Sequence, residues 1–100
     1  MFKNPELIIN FPTYNSMHNL EKIFDALFKS DLRIKKVFIT DNNSDIPDSK
    51  KIELVNNLKS KFFNNIILII NNENYGIGGS QKITFDYLKN ENFDYFIHLQ

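Results

Sequence analysis

Val37-Phe38-Ile39 is an apolar run that gives way, after Thr40, to Asp41-Asn42-Asn43-Ser44-Asp45. A carboxylate at Asp41 only accepts hydrogen bonds, so it suits an N–H donor such as the imide of uracil or thymine, or a ribose hydroxyl. Cytosine has no imide, so such a contact would select the base. The same residue could equally close an Asx turn, and Asn43, Ser44 and Asp45 are read as turn residues. Ile8-Ile9-Asn10-Phe11 stops in the same way at Pro12-Thr13-Tyr14-Asn15. There the Tyr14 ring can stack on a planar base, for about 1–3 kcal/mol, or pack on its own helix. Ile66 to Ile70 stops at Asn71-Asn72-Glu73-Asn74-Tyr75, followed by Gly76, Gly78 and Gly79. Glycines there allow the backbone to approach a ligand closely, or serve only a tight turn. A helix starting near Ser80 would aim its first amides at a phosphate. The glycine spacing is neither a dinucleotide fingerprint nor a Walker loop. His18 and His98 lack any ligand-pair spacing and are read as neither metal ligands nor catalysts. No nucleophile elbow is present.

The elements that position these loops follow from periodicity. Glu6 to Phe11 is an almost continuous apolar run, as in strands buried on both faces, and Pro12 is expected to end it. Met17, Leu20, Ile23, Phe24, Leu27 and Phe28 share one helical face, which predicts a helix from Ser16 to Ser30 capped by Asn15 or Ser16. Ile34 to Thr40 is the second strand. Pro47 and Asp48 open a second helix. Ile52, Val55, Leu58 and Phe62 are expected on its inner face, and Lys50, Lys51, Glu53 and Lys59 on its wet one. Asn64-Asn65 breaks it before a third strand at Ile66 to Ile70. A third helix is expected from Ser80 to Lys89 with Ile83, Tyr87 and Leu88 inward, then a fourth strand from Tyr95 to Leu99. Four strand–helix alternations, short of the last helix, predict an α/β fold of Rossmann-like three-layer α/β/α type. The sheet is mostly parallel, in the order 3-2-1-4 with helices on both faces. Ligands of such sheets sit at the carboxyl ends of the strands, where all three polar stretches fall.

Composition narrows the function classes. One hundred residues make one small domain or a piece of one, and ten Phe suffice for a core. A formal net charge of zero removes the electrostatic case for nucleic acid or an anionic membrane as partner. Without Cys there is no disulfide frame and no thiolate metal site. No apolar run is long enough to span a bilayer, and Met1 to Pro5 lacks the apolar region of a signal peptide. A cytoplasmic protein, or one peripheral to the inner face of the cell membrane, is therefore expected.

Taken in order, Ile-Ile-Asn-Phe-Pro-Thr-Tyr-Asn (8–15), Phe-Ile-Thr-Asp-Asn-Asn-Ser-Asp (38–45), Asn-Glu-Asn-Tyr-Gly-Ile-Gly-Gly-Ser-Gln (72–81) and Phe-Asp-Tyr-Phe-Ile-His-Leu (93–99) resemble the N-terminal half of glycosyltransferase family 2. The resemblance covers nearly the whole chain. It implies the nucleotide-binding half of the GT-A fold and transfer of a sugar, with inversion, from a UDP- or dTDP-sugar to a glycan acceptor in surface polysaccharide or glycoconjugate synthesis. It implies that Pro12, Thr13, Tyr14 and the adjoining Asn15 hold the nucleoside, and that Asp41 and Asn42 contact the base. Asn74, Gly76, Gly78 and Gly79 would form the loop near the nucleotide, with Gln81 just inside the following helix. The Asp-Asn pair at 41–42 looks like the rhamnosyl- and galactofuranosyl-transferase side of the family.

In that family an Asp-x-Asp motif holding Mg²⁺ or Mn²⁺ follows the fourth strand, and the catalytic base lies further on. This sequence stops at Gln100, so the chain is expected to be a truncated piece. It would hold no metal and no catalytic residue of its own, and would pair with a second copy around residues 93–100. The competing reading is a non-catalytic nucleotide-binding or assembly module that ends at Gln100. A phosphoacceptor signalling domain fits less well, because Pro-Thr-Tyr stands where its acidic pair belongs.

Overall fold

The computed structural model describes residues 5–99. The amino-terminal residues read for a signal peptide, apart from Pro5, and Gln100 lie outside that range. The chain forms strand β1 (Glu6–Thr13), a 3-10 turn (Met17–Asn19), helix α1 (Leu20–Leu27), strand β2 (Arg33–Asp41) and helix α2 (Asp48–Lys61). Strand β3 (Ile66–Ile70), helix α3 (Gly76–Asp86) and strand β4 (Tyr95–His98) complete it. The four strands make one sheet in the order β3-β2-β1-β4, with every pair parallel. The architecture is α/β, Rossmann-like and three-layered, as the alternation predicts.

Two apolar clusters lie on opposite faces of the sheet, because side chains alternate along a strand. Leu7, Ile9, Phe11, Val37, Ile39 and Ile66 face α1 and α2, meeting Leu20, Phe24, Val55 and Leu58. Ile8, Phe38 and Ile69 face the other way, toward Ile83 of α3 and toward Leu88. Phe24 anchors the first cluster, with its ring centroid 5.2 Å from Phe11 and 5.6 Å from Phe28. Burying a side chain of that size contributes about 1.5–3 kcal/mol.

Several boundaries and faces differ from the sequence expectation. β1 continues through Pro12 to Thr13. Beyond Asn10 its paired neighbour among the described residues is β2, which follows it through Pro12 and Thr13. The first helix is shorter than expected and starts with the 3-10 turn. Neither Asn15 nor Ser16 caps it, because Asn15 spends its side chain on Asp45. α2 starts at Asp48 as expected, but its faces are redistributed. Lys51 is only 1% exposed, while Ile52 is 49% exposed. The inner stripe is therefore Lys51, Leu54, Val55, Leu58 and Phe62, and its first member is a charge that finds a buried partner. α3 begins at Gly76 rather than Ser80. Tyr87 is exposed, although its ring rests against Phe38. Among the described residues no helix is long and apolar enough to cross a membrane.

Candidate functional site

The carboxyl ends of β1, β2 and β3 deliver their loops to one edge of the sheet, and the loop after β2 is the most constrained. Asp41 is fully buried. Its Oδ1 accepts from Thr13 Oγ1 at 2.7 Å and Ser44 Oγ at 2.5 Å. Its Oδ2 accepts from the Ser44 backbone N–H at 2.9 Å and Lys51 Nζ at 2.9 Å. A carboxylate offers about four lone-pair sites, and here all of them are filled from within the protein. Burial alone would raise the Asp41 carboxyl, but the hydrogen bonds from Ser44, Lys51 and Thr13 more than offset it and hold it below the ordinary range. Burial would likewise lower Lys51, yet the hydrogen bond and charge of Asp41, with help from Asp48 3.3 Å away, hold it above the ordinary range.

This pair organises its neighbours. Ser44 Oγ accepts the backbone N–H of Asn15 at 2.8 Å. The Asn15 side chain in turn brackets Asp45, donating to its carboxylate at 3.1 Å and accepting its backbone N–H at 2.7 Å. Asn15 and Asn43 both hold left-handed backbone, at φ 54° and 64°, a conformation Asn tolerates better than most residues. On the other side Asn71 donates from Nδ2 to Asn42 Oδ1 at 2.9 Å, and its backbone N–H bonds the Asp41 carbonyl at 2.8 Å. The loops after β1, β2 and β3 are thus tied into one floor.

Above that floor is a cleft of about 250 Å³ lined by Pro12, Thr13, Tyr14, Asn42, Asn74, Gly76 and Ile77. Six of the eleven candidate residues line it. Tyr14 stands with 51% of its surface exposed. Gly76 has φ 73°, and its N–H is taken by Asn74 Oδ1 at 2.8 Å. The amides of Ile77 and Gly78 follow in the first turn of α3, where backbone donors have no intrahelical acceptor.

The other five candidates sit elsewhere. Asp41 lies beneath the floor, and Asn15 lines a neighbouring apolar hollow with Met17 and Ile46. Gly78 and Gln81 border a separate surface hollow with Phe85 and Asp86. Gly79 belongs to α3, so close to Tyr75 that an added Cβ would fall 2.7 Å from the Tyr75 Cβ. A larger hollow of about 330 Å³ runs along the outer helix seam between Met17, Glu21, Leu54 and Lys61, where no strand-end loop contributes.

Sequence reasoning missed Lys51, Asn71 and Ile77. For Lys51 a signal existed: it falls three, four, seven and eleven residues before Leu54, Val55, Leu58 and Phe62, on the helical stripe that faces inward. The cleft wall carries no charged side chain. Among the described residues no three His, Cys, Asp or Glu side chains come together as a metal site. No family model, curated protein or solved structure matches this chain.

Proposed function

We propose that this chain is the nucleotide-binding portion of an inverting glycosyltransferase that uses a UDP- or dTDP-sugar and a glycan acceptor. The observation that carries the reading is the shared cleft of three strand-end loops, with the open Tyr14 ring beside Asn42, Asn74 and Gly76. The base stacks on Tyr14, and the phosphates lie toward the amides of Ile77 and Gly78. Thr13 lines the cleft and also bonds Asp41, so a base N–H reaches that carboxylate by displacing the Thr13 hydroxyl. No acid or histidine lines the cleft to act as a base. The chain by itself is therefore expected to bind nucleotide without transferring sugar.

An NMR titration tests the reading. UDP and dTDP are expected to shift the resonances of Thr13, Tyr14, Asn42 and Asn74, and CDP to shift them less. Equal responses to all three would remove the base selectivity, and no response at these residues would remove the nucleotide site. The reading extends to self-association along the edge strand β4, where Tyr95 is 61% exposed and Phe96, projecting to the other face, packs against Phe85. Sedimentation is expected to show a dimer, and a monomer at high concentration would exclude it.

A further inference from the structure

On the sheet face covered by α3, polar side chains form a row that crosses the carboxyl ends of three strands. Asn10 of β1, Thr40 of β2 and Thr84 of α3 are all fully buried. The Asn10 amide lies 3.0 Å from Nδ1 of His98 on β4 and 2.8 Å from Thr40 Oγ1. Thr40 Oγ1 lies 2.6 Å from Thr84 Oγ1, which lies 3.0 Å from the Ser80 carbonyl oxygen. Four links therefore connect β4 to α3.

Counting protons gives the row a direction. Each threonine hydroxyl has one proton, and the carbonyl at the far end only accepts. Placed with Nδ2 toward His98 and Oδ1 toward Thr40, the amide leaves two hydroxyl protons to serve three links. Turned over, it lets every link carry a proton: His98 Nδ1–H to Asn10, Asn10 to Thr40, Thr40 to Thr84, and Thr84 to Ser80. The two ends of an amide are distinguished by their hydrogen bonds, and a buried row favours the arrangement that leaves no link unmade.

We propose that this row is an oriented relay that fixes His98 as the Nδ1–H imidazole, leaves Nε2 as a buried lone pair, and so makes the docking of β4 onto β1 sensitive to protonation. A second proton has to enter at Nε2, which has no hydrogen-bond partner among the described residues. No charge faces it. Glu6 of β1 and Asp94 beside β4 lie at the amino ends of the strands, where the Asp94 carboxylate accepts the Glu6 backbone N–H and the Glu6 carboxylate pairs with Arg33 and Lys35. Lys35 and Lys36 of β2 pair with Glu91, and Asp41 pairs with Lys51. Lys82 and Asp86 of α3, Tyr87 and Tyr95 are exposed. Burial accordingly holds the imidazole below its ordinary range. The folded chain prefers neutral His98, so this stabilisation is complete above about pH 6.5 and declines as pH falls below it. The carboxyl end of β4, where the Leu99 N–H bonds the Asn10 carbonyl at 2.9 Å, is the part that loosens.

Imidazole ¹⁵N NMR of the full chain at about pH 8, where histidine is neutral, reads the tautomer directly. Wild type is expected to carry the proton on Nδ1. Thr84→Val, on a different element, removes the end that orients the row and is expected to move the population toward Nε2–H. Thr84→Ser is expected to keep the wild-type tautomer. An Nε2–H imidazole in wild type would overturn the relay even if Thr84→Val fails to fold. A tautomer population unchanged in a folded Thr84→Val would overturn it as well. The opening equilibrium at the Leu99 amide, read as exchange relative to intrinsic exchange, is expected to shift toward the open form about tenfold per pH unit below 6.5 while folded His98 stays neutral, and to stay flat in His98→Gln. A flat wild-type profile, or the same rise in His98→Gln, would overturn the proton sensitivity.

Discussion

The loops after β2 and β3 reach the same edge of the sheet and are built in opposite ways. The β2 loop is closed from below by a buried ion pair. Asp41 receives four donors from three different elements, and Asn15 reaches across from the β1 loop to bracket Asp45. Among the described residues, the β3 loop beyond Asn71 is held by short-range bonds, from Tyr75 to Asn72 at 2.7 Å and from Gly76 to Asn74 at 2.8 Å. Residues 72–78 are exposed throughout. One loop is a fixed wall, held at Asp41 by buried bonds whose loss would leave a buried charge short of partners. The other can adjust to a ligand, because each of its bonds can be replaced by solvent at little cost. The cleft therefore has one wall of each kind; on the proposed nucleotide reading, the fixed wall would position the base and the adjustable one would meet the phosphates.

Breaking the fixed wall is expected to have the largest effect. Asp41→Ala strands Lys51 in the interior and should cost about 3–5 kcal/mol, read by urea denaturation. Lys51→Met leaves Asp41 three of its four donors and should cost less, about 1–3 kcal/mol. The double substitution should cost less than the sum. A cost near zero for Asp41→Ala would mean that the pair does not hold the loop.

The pH dependence follows from the directions of the two shifts. The Asp41 contribution is complete above the ordinary carboxylate range and is lost as pH falls through its lowered value. The Lys51 contribution is complete below the ordinary lysine range and is lost as pH rises through its raised value. Asp41→Ala should therefore flatten both the acid and the alkaline limbs of the stability profile.

The cleft itself sharpens the contrast at intermediate size. Tyr14→Ala should weaken UDP binding by about 1–3 kcal/mol and leave the denaturation midpoint nearly unchanged, since the ring is half exposed. Loss of stability without loss of affinity would return Tyr14 to a packing role.

The adjustable wall should give the smallest and most varied effects. Gly76→Ala meets no atom within 4 Å but must hold φ 73°, a cost of about 1–2 kcal/mol. Gly79→Ala must displace Tyr75 and should alter nucleotide affinity through that loop. Gly78→Ala sits inside α3 with open space around its Cβ and should stabilise by about 0.5–1 kcal/mol. Thermal melts of the three variants check the order and the signs.

Periodicity in the sequence determined the strand–helix order, the parallel sheet with β1 and β2 at its centre, and the edge at which the polar loops gather. Those are local patterns, since an apolar run or a three-and-four spacing reports burial without reference to distant residues. What the tertiary structure alone decided depends on partners far away in sequence. Lys51 is buried and Ile52 exposed because Asp41 presents a carboxylate at the point where the first turn of α2 meets the sheet, and a buried charge is held only by such a partner. Pro12 stays in its strand because β2 pairs with β1 through Thr13, as far as Asp41. α3 starts at Gly76, where Asn74 accepts the first amide. Asp41 sits below the cleft rather than in its wall, because the side chains that saturate it come from β1, from its own loop and from α2. His98, unremarkable as a lone histidine in the sequence, gains a direction only when Asn10, Thr40 and Thr84 are brought beside one another by three strands and a helix.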